Sequence, residues 1–151
     1  MSSDRQIILL SKSKLGGTEM IYIVINFVPI AVATLVGIAF GYFYFRVLDD
    51  GPHARLLKPS SLVVVIAMEF WLQAILAGGL ILAPPEASAW TMAIGTAIII
   101  WVGFLAPAII VDSRLRDRSF SSACIDAGHW LGVMLIGAIL MQIIVLTPPP
   151  G

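Results

Sequence analysis

Four stretches of more than twenty residues, Ile21 to Phe45, Leu62 to Leu82, Trp90 to Val111 and Ala123 to Leu146, hold only two acidic and no basic residues between them. A hydrocarbon layer about 30 Å thick is crossed by about 20 helical residues rising 1.5 Å each. Each stretch is long enough. None shows the strict alternation of a half-buried strand, and an open sheet edge cannot persist in lipid. The fold class expected is therefore all-α, an integral membrane protein built as a compact bundle of four antiparallel transmembrane helices. Between the stretches, "DDGPHARLLKPSS", "APPEAS" and "DSRLRDRSFSS" supply the glycine, proline and charge that break helices, and "TPPPG" follows the last. Links this short make consecutive helices neighbours. The expected organisation is a polar or interfacial leader over residues 1–19, one four-span membrane domain over 20–146, and a short tail at 147–151.

Composition agrees. Hydrophobic residues make up 59% of the chain and charged residues 12%, against about 25% charged in a soluble domain. Net charge is formally zero, so no basic field points to nucleic acid. The single cysteine, Cys124, excludes an internal disulfide and a cysteine-based zinc site. The first apolar stretch is too long for a signal-peptide core and is read as a retained helix. No internal repeat is evident, so an inverted-repeat transporter gains no support.

Orientation follows from lysine and arginine, which cytoplasmic loops retain. Arg46, Arg55, Lys58, Arg114, Arg116 and Arg118 lie on one face, six in all; Arg5, Lys12 and Lys14 lie on the other, three in all. Six against three places both termini on the non-cytoplasmic side.

Helices in lipid associate through close backbone approach and polar contacts. Ala33, Gly37 and Gly41 recur every four residues in the first stretch, and Cys124, Gly128 and Gly132 do so in the fourth. Ala74 with Gly78, and Gly95 with Gly103, mark the second and third. Pro29 and Pro107 each remove a helical hydrogen bond and bend their spans.

The polar residues are fewer and more telling. A carboxylate in mid-membrane costs roughly 2.5 to 3.5 kcal/mol on insertion scales. Glu69 stands eight residues into its stretch and His129 seven into its own, counted from the same basic face, so their depths match. Gln73 shares a helix face with Glu69, and Asp126 shares one with His129. These four form an expected intramembrane polar cluster, either a proton or ligand site or hydrogen-bonding glue that holds the helices in register. Asp126 also suits the first turn of a helix behind caps at Ser121 and Ser122. Tyr42, Tyr44 and Trp90 fit an interfacial belt, and Trp71 and Trp101 read as packing. His53 and His129 alone do not make a metal ligand set. No cofactor and no metal are expected.

The third and fourth stretches carry a resemblance. "WVGFLAPAIIVDSRLRDRSFSSACIDAGHWLGVMLIGAILM", residues 101–141, is similar to the C-terminal half of a bacterial family of small four-helix membrane proteins described only as a domain of unknown function. The shared features are Gly103 to Pro107, a short charged loop, an Ala127 to Leu131 core, and the "LIGAILM" ending. In the first stretch "GIAFGYFYF" resembles the family's Gly-x-x-Trp-Tyr motif, with Gly41 standing where the tryptophan would be. The resemblance implies the four-span fold and a bacterial plasma membrane. It implies no activity and carries over no catalytic residue.

Three function classes remain. The leading one is a non-catalytic component that works with the lipid bilayer, a larger membrane complex or a homo-oligomer as its partner, because the loops are too small to hold a soluble substrate. The second is a proton-linked or small-solute carrier that uses Glu69 and His129 as an oligomer. The third is an intramembrane enzyme, which would need a nucleophile beside a base; Cys124 and His129 lie five residues apart, on different helix faces.

Overall fold

The computed structural model describes residues 21–48, 59–84 and 86–149. The leader with Arg5, Lys12 and Lys14, and the loop carrying His53, Arg55 and Lys58, lie outside the described residues. Within them the chain is all-helical: α1 (Ile21–Ile25), α2 (Phe27–Leu48), α3 (Pro59–Ile81), α4 (Ala89–Ile100), a π-helical turn (Trp101–Leu105), α5 (Ala106–Leu115) and α6 (Phe120–Ile144). Four helices are long and apolar enough to cross a membrane: Phe27–Leu48, Ser61–Ile81, Ala89–Leu115 and Phe120–Ile144.

Both prolines leave visible marks. A proline ring crowds the carbonyl four residues upstream and leaves it without a donor. Pro29 stands four residues after Ile25, where α1 ends, and the chain re-enters helix at Phe27. Pro107 stands four residues after Gly103, inside the π-helical turn that joins α4 to α5.

Two boundaries depart from the sequence reading. The third span runs on through Asp112 to Leu115. There Arg116 Nε meets Asp112 Oδ1 at 2.9 Å, an exposed ion pair one helical turn apart. The fourth helix starts earlier than Ala123, at Phe120, and its cap is Ser119, whose side chain accepts from Ser122 N–H at 3.1 Å. Ser121 and Ser122 are therefore not the caps. Asp126 falls in the second turn of α6, too far in for the helix-end dipole to hold it.

Helix α6 packs against α2, α3, α4, α5 and the π-helical turn, and α3 packs against α2 and α4. The apolar core is built largely from alanine, Ala33, Ala74, Ala77, Ala93, Ala97 and Ala138, with Ile30, Leu76, Met134 and Met141 filling the space between. Small side chains bring the backbones close, which is how helices gain dispersion energy without a hydrophobic drive. This core occupies the half of the molecule where α2 begins and α6 ends. The other half is organised around polar groups. Large apolar side chains such as Val28, Leu35, Phe43, Val63, Met68, Ile99 and Phe104 point outward and are more than half exposed.

At the apolar end a clasp joins the first and last spans. Asn26 Nδ2 donates to the Tyr22 carbonyl and to the Thr147 carbonyl, each at 2.9 Å, and Thr147 N–H donates back to Asn26 Oδ1 at 2.7 Å. Val145, between α6 and this clasp, has φ 64°, a conformation rare for a β-branched residue. The turn at Val145 brings the chain back toward Asn26.

Candidate functional site

The polar half is built on two glycines of α2 and a face of α3. Glu69 and Gln73 are one turn apart on α3 and 3% and 0% exposed. In these conformations each fills space that a side chain on α2 or α6 would take. A methyl group on Gly37 would run into Glu69 Oε1, and one on Gly137 would run into Gln73 Oε1. His129, 6% exposed on α6, fits a third notch: a methyl group on Gly41 would lie 2.6 Å from its Nε2. Three buried polar side chains thus each occupy the space that a glycine leaves on a neighbouring helix.

Because Gly37 and Gly41 are one turn apart on α2, Glu69 and His129 sit at successive levels of the same seam, about 6 Å apart along the helix axis. Asp126 is nearer the basic loop. Its Oδ2 meets Arg118 Nη1 at 2.9 Å, with side chains 17% and 32% exposed, and Arg118 Nη2 donates to Ser122 Oγ at 2.8 Å. From the basic loop inward the order is Arg118, Asp126, His129, Glu69 and Gln73, with exposure falling along it.

Few hydrogen bonds satisfy this seam. Gln73 Nε2 approaches the Val133 carbonyl at 3.4 Å, a long contact. Glu69 Oε1, Gln73 Oε1 and His129 Nδ1 are buried without a hydrogen-bond partner. Orphaned buried polar atoms are rare in native proteins, and each normally has a functional or solvent explanation. Around His129 stand the rings of Phe45, Trp130, Tyr44 and Phe40, with centroids at 4.7, 5.1, 5.7 and 6.0 Å. Among the described residues no group of three His, Cys, Asp or Glu side chains is placed to hold a metal ion.

Several sequence expectations change here. Tyr44 also makes an interhelical contact: its hydroxyl donates to the Ile125 carbonyl at 3.1 Å and faces Gly128. Trp101 does more than pack, since its Nε1 donates to the Ala127 carbonyl at 2.8 Å. Trp71 is about half exposed, as are Tyr42 and Trp90. Gly132 receives the Phe40 ring, whereas Cys124, the first member of that line, is exposed. Gly78 receives Tyr22, whose hydroxyl donates to the Ala74 carbonyl at 3.2 Å. Gly95 and Gly103 meet nothing within 4 Å, and the small residues buried along the third span are instead Ala93, Ala97, Ala106 and Ser113.

Three buried polar residues are not singled out in the sequence analysis: Asn26, Ser113 and Thr34, whose hydroxyl donates to the Ile30 carbonyl at 2.8 Å. Asn26 stands six residues into an apolar run and gave no spacing signal. Ser113 was assigned to a loop; it is 1% exposed, and its carbonyl accepts from Arg118 N–H at 3.0 Å. The signal available for Asn26 was its place three residues before Pro29, where freed backbone groups need a polar side chain nearby.

No family model, curated protein or solved structure matches the chain.

Proposed function

We propose that this chain is a small, non-catalytic membrane protein of four antiparallel spans that works by association, through the outer face of its third span. Each of these elements has a physical support. The outward-facing apolar side chains suit a lipid bilayer. The antiparallel arrangement is supported by α2 and α6, whose opposite ends meet at Asn26 with Thr147 and at Tyr44 with Ile125. The resemblance of residues 101–141 to a bacterial four-helix membrane family supports a plasma-membrane location.

One observation carries the association. The central window of the third span is 11% buried within the chain, against 39% for the fourth. Gly95, Ile99 and Gly103 recur every four residues along this span; both glycines are open, and Ile99 is 70% exposed. Glycines that face outward on a membrane helix leave flat ground on which another helix backbone can approach. The partner is a second copy of the chain or a larger membrane subunit.

Cysteine cross-linking distinguishes these partners. With Cys124 replaced by serine, Gly95→Cys in native membranes is expected to give a disulfide-linked dimer if the partner is a second copy. If the partner is a larger subunit, Gly95→Leu should remove that subunit from a mild-detergent eluate while the chain itself stays folded. A chain that neither cross-links nor loses a companion when Gly95 and Gly103 are both made leucine would refute the proposal.

The orientation is checked separately. Both termini are placed on the non-cytoplasmic side, since the six basic residues of the two loops outweigh the three of the leader. Single cysteines at Ser3 and at the exposed Thr147, again without Cys124, should both react with an impermeant thiol reagent in intact cells. Protection of both until the membrane is opened would reverse the topology.

A further inference from the structure

The polar seam has features that association does not require. Polar groups placed only to hold helices together should be bonded to each other across the interface. Here the carboxyl, amide and imidazole instead each present an unpartnered atom, and all three are at least nine-tenths buried. Their order is also directional. Asp126 reaches the basic loop through Arg118, His129 lies one turn further in on α6, and Glu69 lies a further turn along α2. Beyond Glu69 and Gln73 the interior is the apolar core of alanine, leucine and methionine. The seam has an outer end and a closed inner end.

We infer that Glu69 is the inner terminus of a proton inlet that opens on the side of the Arg114 to Arg118 loop and passes Asp126 and His129. The groups facing Glu69 and its approach are Gln73 on its own helix, His129 and Asp126 on α6, Tyr44 on α2, and Arg118 from the loop. An imidazole can accept a proton at one ring nitrogen and release one from the other, so it ends each passage with its charge unchanged. The proton released inward converts the Glu69 carboxylate into a carboxyl group, and the return path restores it. One helical turn, about 6 Å of rise along α2, separates the two levels, a step on the scale that bridging water covers. The three orphaned atoms stand at successive levels of the seam, where separate waters would find partners. The closed inner end makes this a site that loads and unloads from one face.

The test uses the full chain in liposomes and difference infrared spectroscopy, following the carboxyl C=O band after a pH jump. A titrating band that disappears in Glu69→Gln is expected. His129→Gln and Asp126→Asn should keep the band but slow its appearance about tenfold or more, the scale on which positioned proton donors act. Helical content measured on the same samples shows that the variants are folded, and Asp126→Asn, nearer the surface, guards against a misfolded His129 variant. Absence of any band assignable to Glu69 in the folded protein would overturn the inference. So would a band whose rate ignores both variants, since Glu69 would then load by another route. A signal that follows sodium concentration at fixed pH would overturn the proton in favour of a small cation.

Discussion

Gly37→Leu is expected to abolish recovery of folded protein, the largest effect of any single substitution in the described spans. The space beside Gly37 is already taken: a single added methyl would run into the Glu69 carboxyl, with Val133 Cγ1 at 3.3 Å on the other side. Overpacking of a closed interface typically costs about 1–3 kcal/mol for modest insertions, and leucine adds three more carbons than alanine. The graded variant is the more informative one. Gly37→Ala should lower thermal stability in detergent by about 1–3 kcal/mol, and the double variant Gly37→Ala with Glu69→Ala should be more stable than the sum of the two single changes. Residues in direct contact show this non-additivity. Leu35, 62% exposed on the same helix, is the control, and Leu35→Ala should leave folded yield close to that of the parent. A Gly37→Leu protein that purifies and unfolds like the parent would mean that α2 and α3 do not meet at this point.

Asn26→Leu should come second in magnitude. The substitution keeps the branching of the side chain but removes two donors and an acceptor, and it strands the backbone N–H and carbonyl of Thr147. Each hydrogen bond lost from the clasp costs about 0.5–1.5 kcal/mol. The released turn would also lose the contact that holds Val145 at its positive φ. A chain ending at Leu146 loses the same clasp from the other side. Asn26→Leu in that shortened chain should therefore be little worse than the shortening alone. Full additivity of the two changes, measured by thermal unfolding in detergent, would show that Asn26 acts elsewhere.

Much of the architecture was legible because helices long and apolar enough to cross a membrane are written in long apolar runs. Four runs identified four helices, and the two prolines identified the breaks at Ile25 and in the π-helical turn. The ends were less legible. Apolar content stops at Val111, but hydrogen-bonded helix continues to Leu115, because the Asp112–Arg116 pair suits a helical turn that no lipid need cover. The matched depth of Glu69 and His129 placed them in one half of the molecule, but depth carries no azimuth. Small-residue spacing has the same defect. Gly37 and Gly41 face α3 and α6, whereas Gly95 and Gly103, equally regular in sequence, face outward. Which glycine lines are used depends on which bulky polar side chain stands opposite, and this pairing between distant residues has no local signature. The contact of Tyr44 with the Ile125 carbonyl was hidden for the same reason, since an aromatic residue near a helix end looks alike whatever its hydroxyl meets.

The clasp between Asn26 and Thr147 also sets an order of events during synthesis. The two residues are 121 positions apart, and a ribosome adding about 5–20 residues per second needs roughly 6 to 24 s to bridge them. Throughout that interval Asn26 has only its local bond to the Tyr22 carbonyl. An amide with unspent donors and acceptors is held at one end of the nascent first helix until the segment carrying Thr147 arrives. A transcript cut short, or a ribosome stalled before Thr147, leaves that end open and the first span without its last neighbour. Closure thus distinguishes a chain that has been extended past its fourth long helix from one that has not, and an unclosed first helix is a feature by which quality-control proteases could select the products to remove.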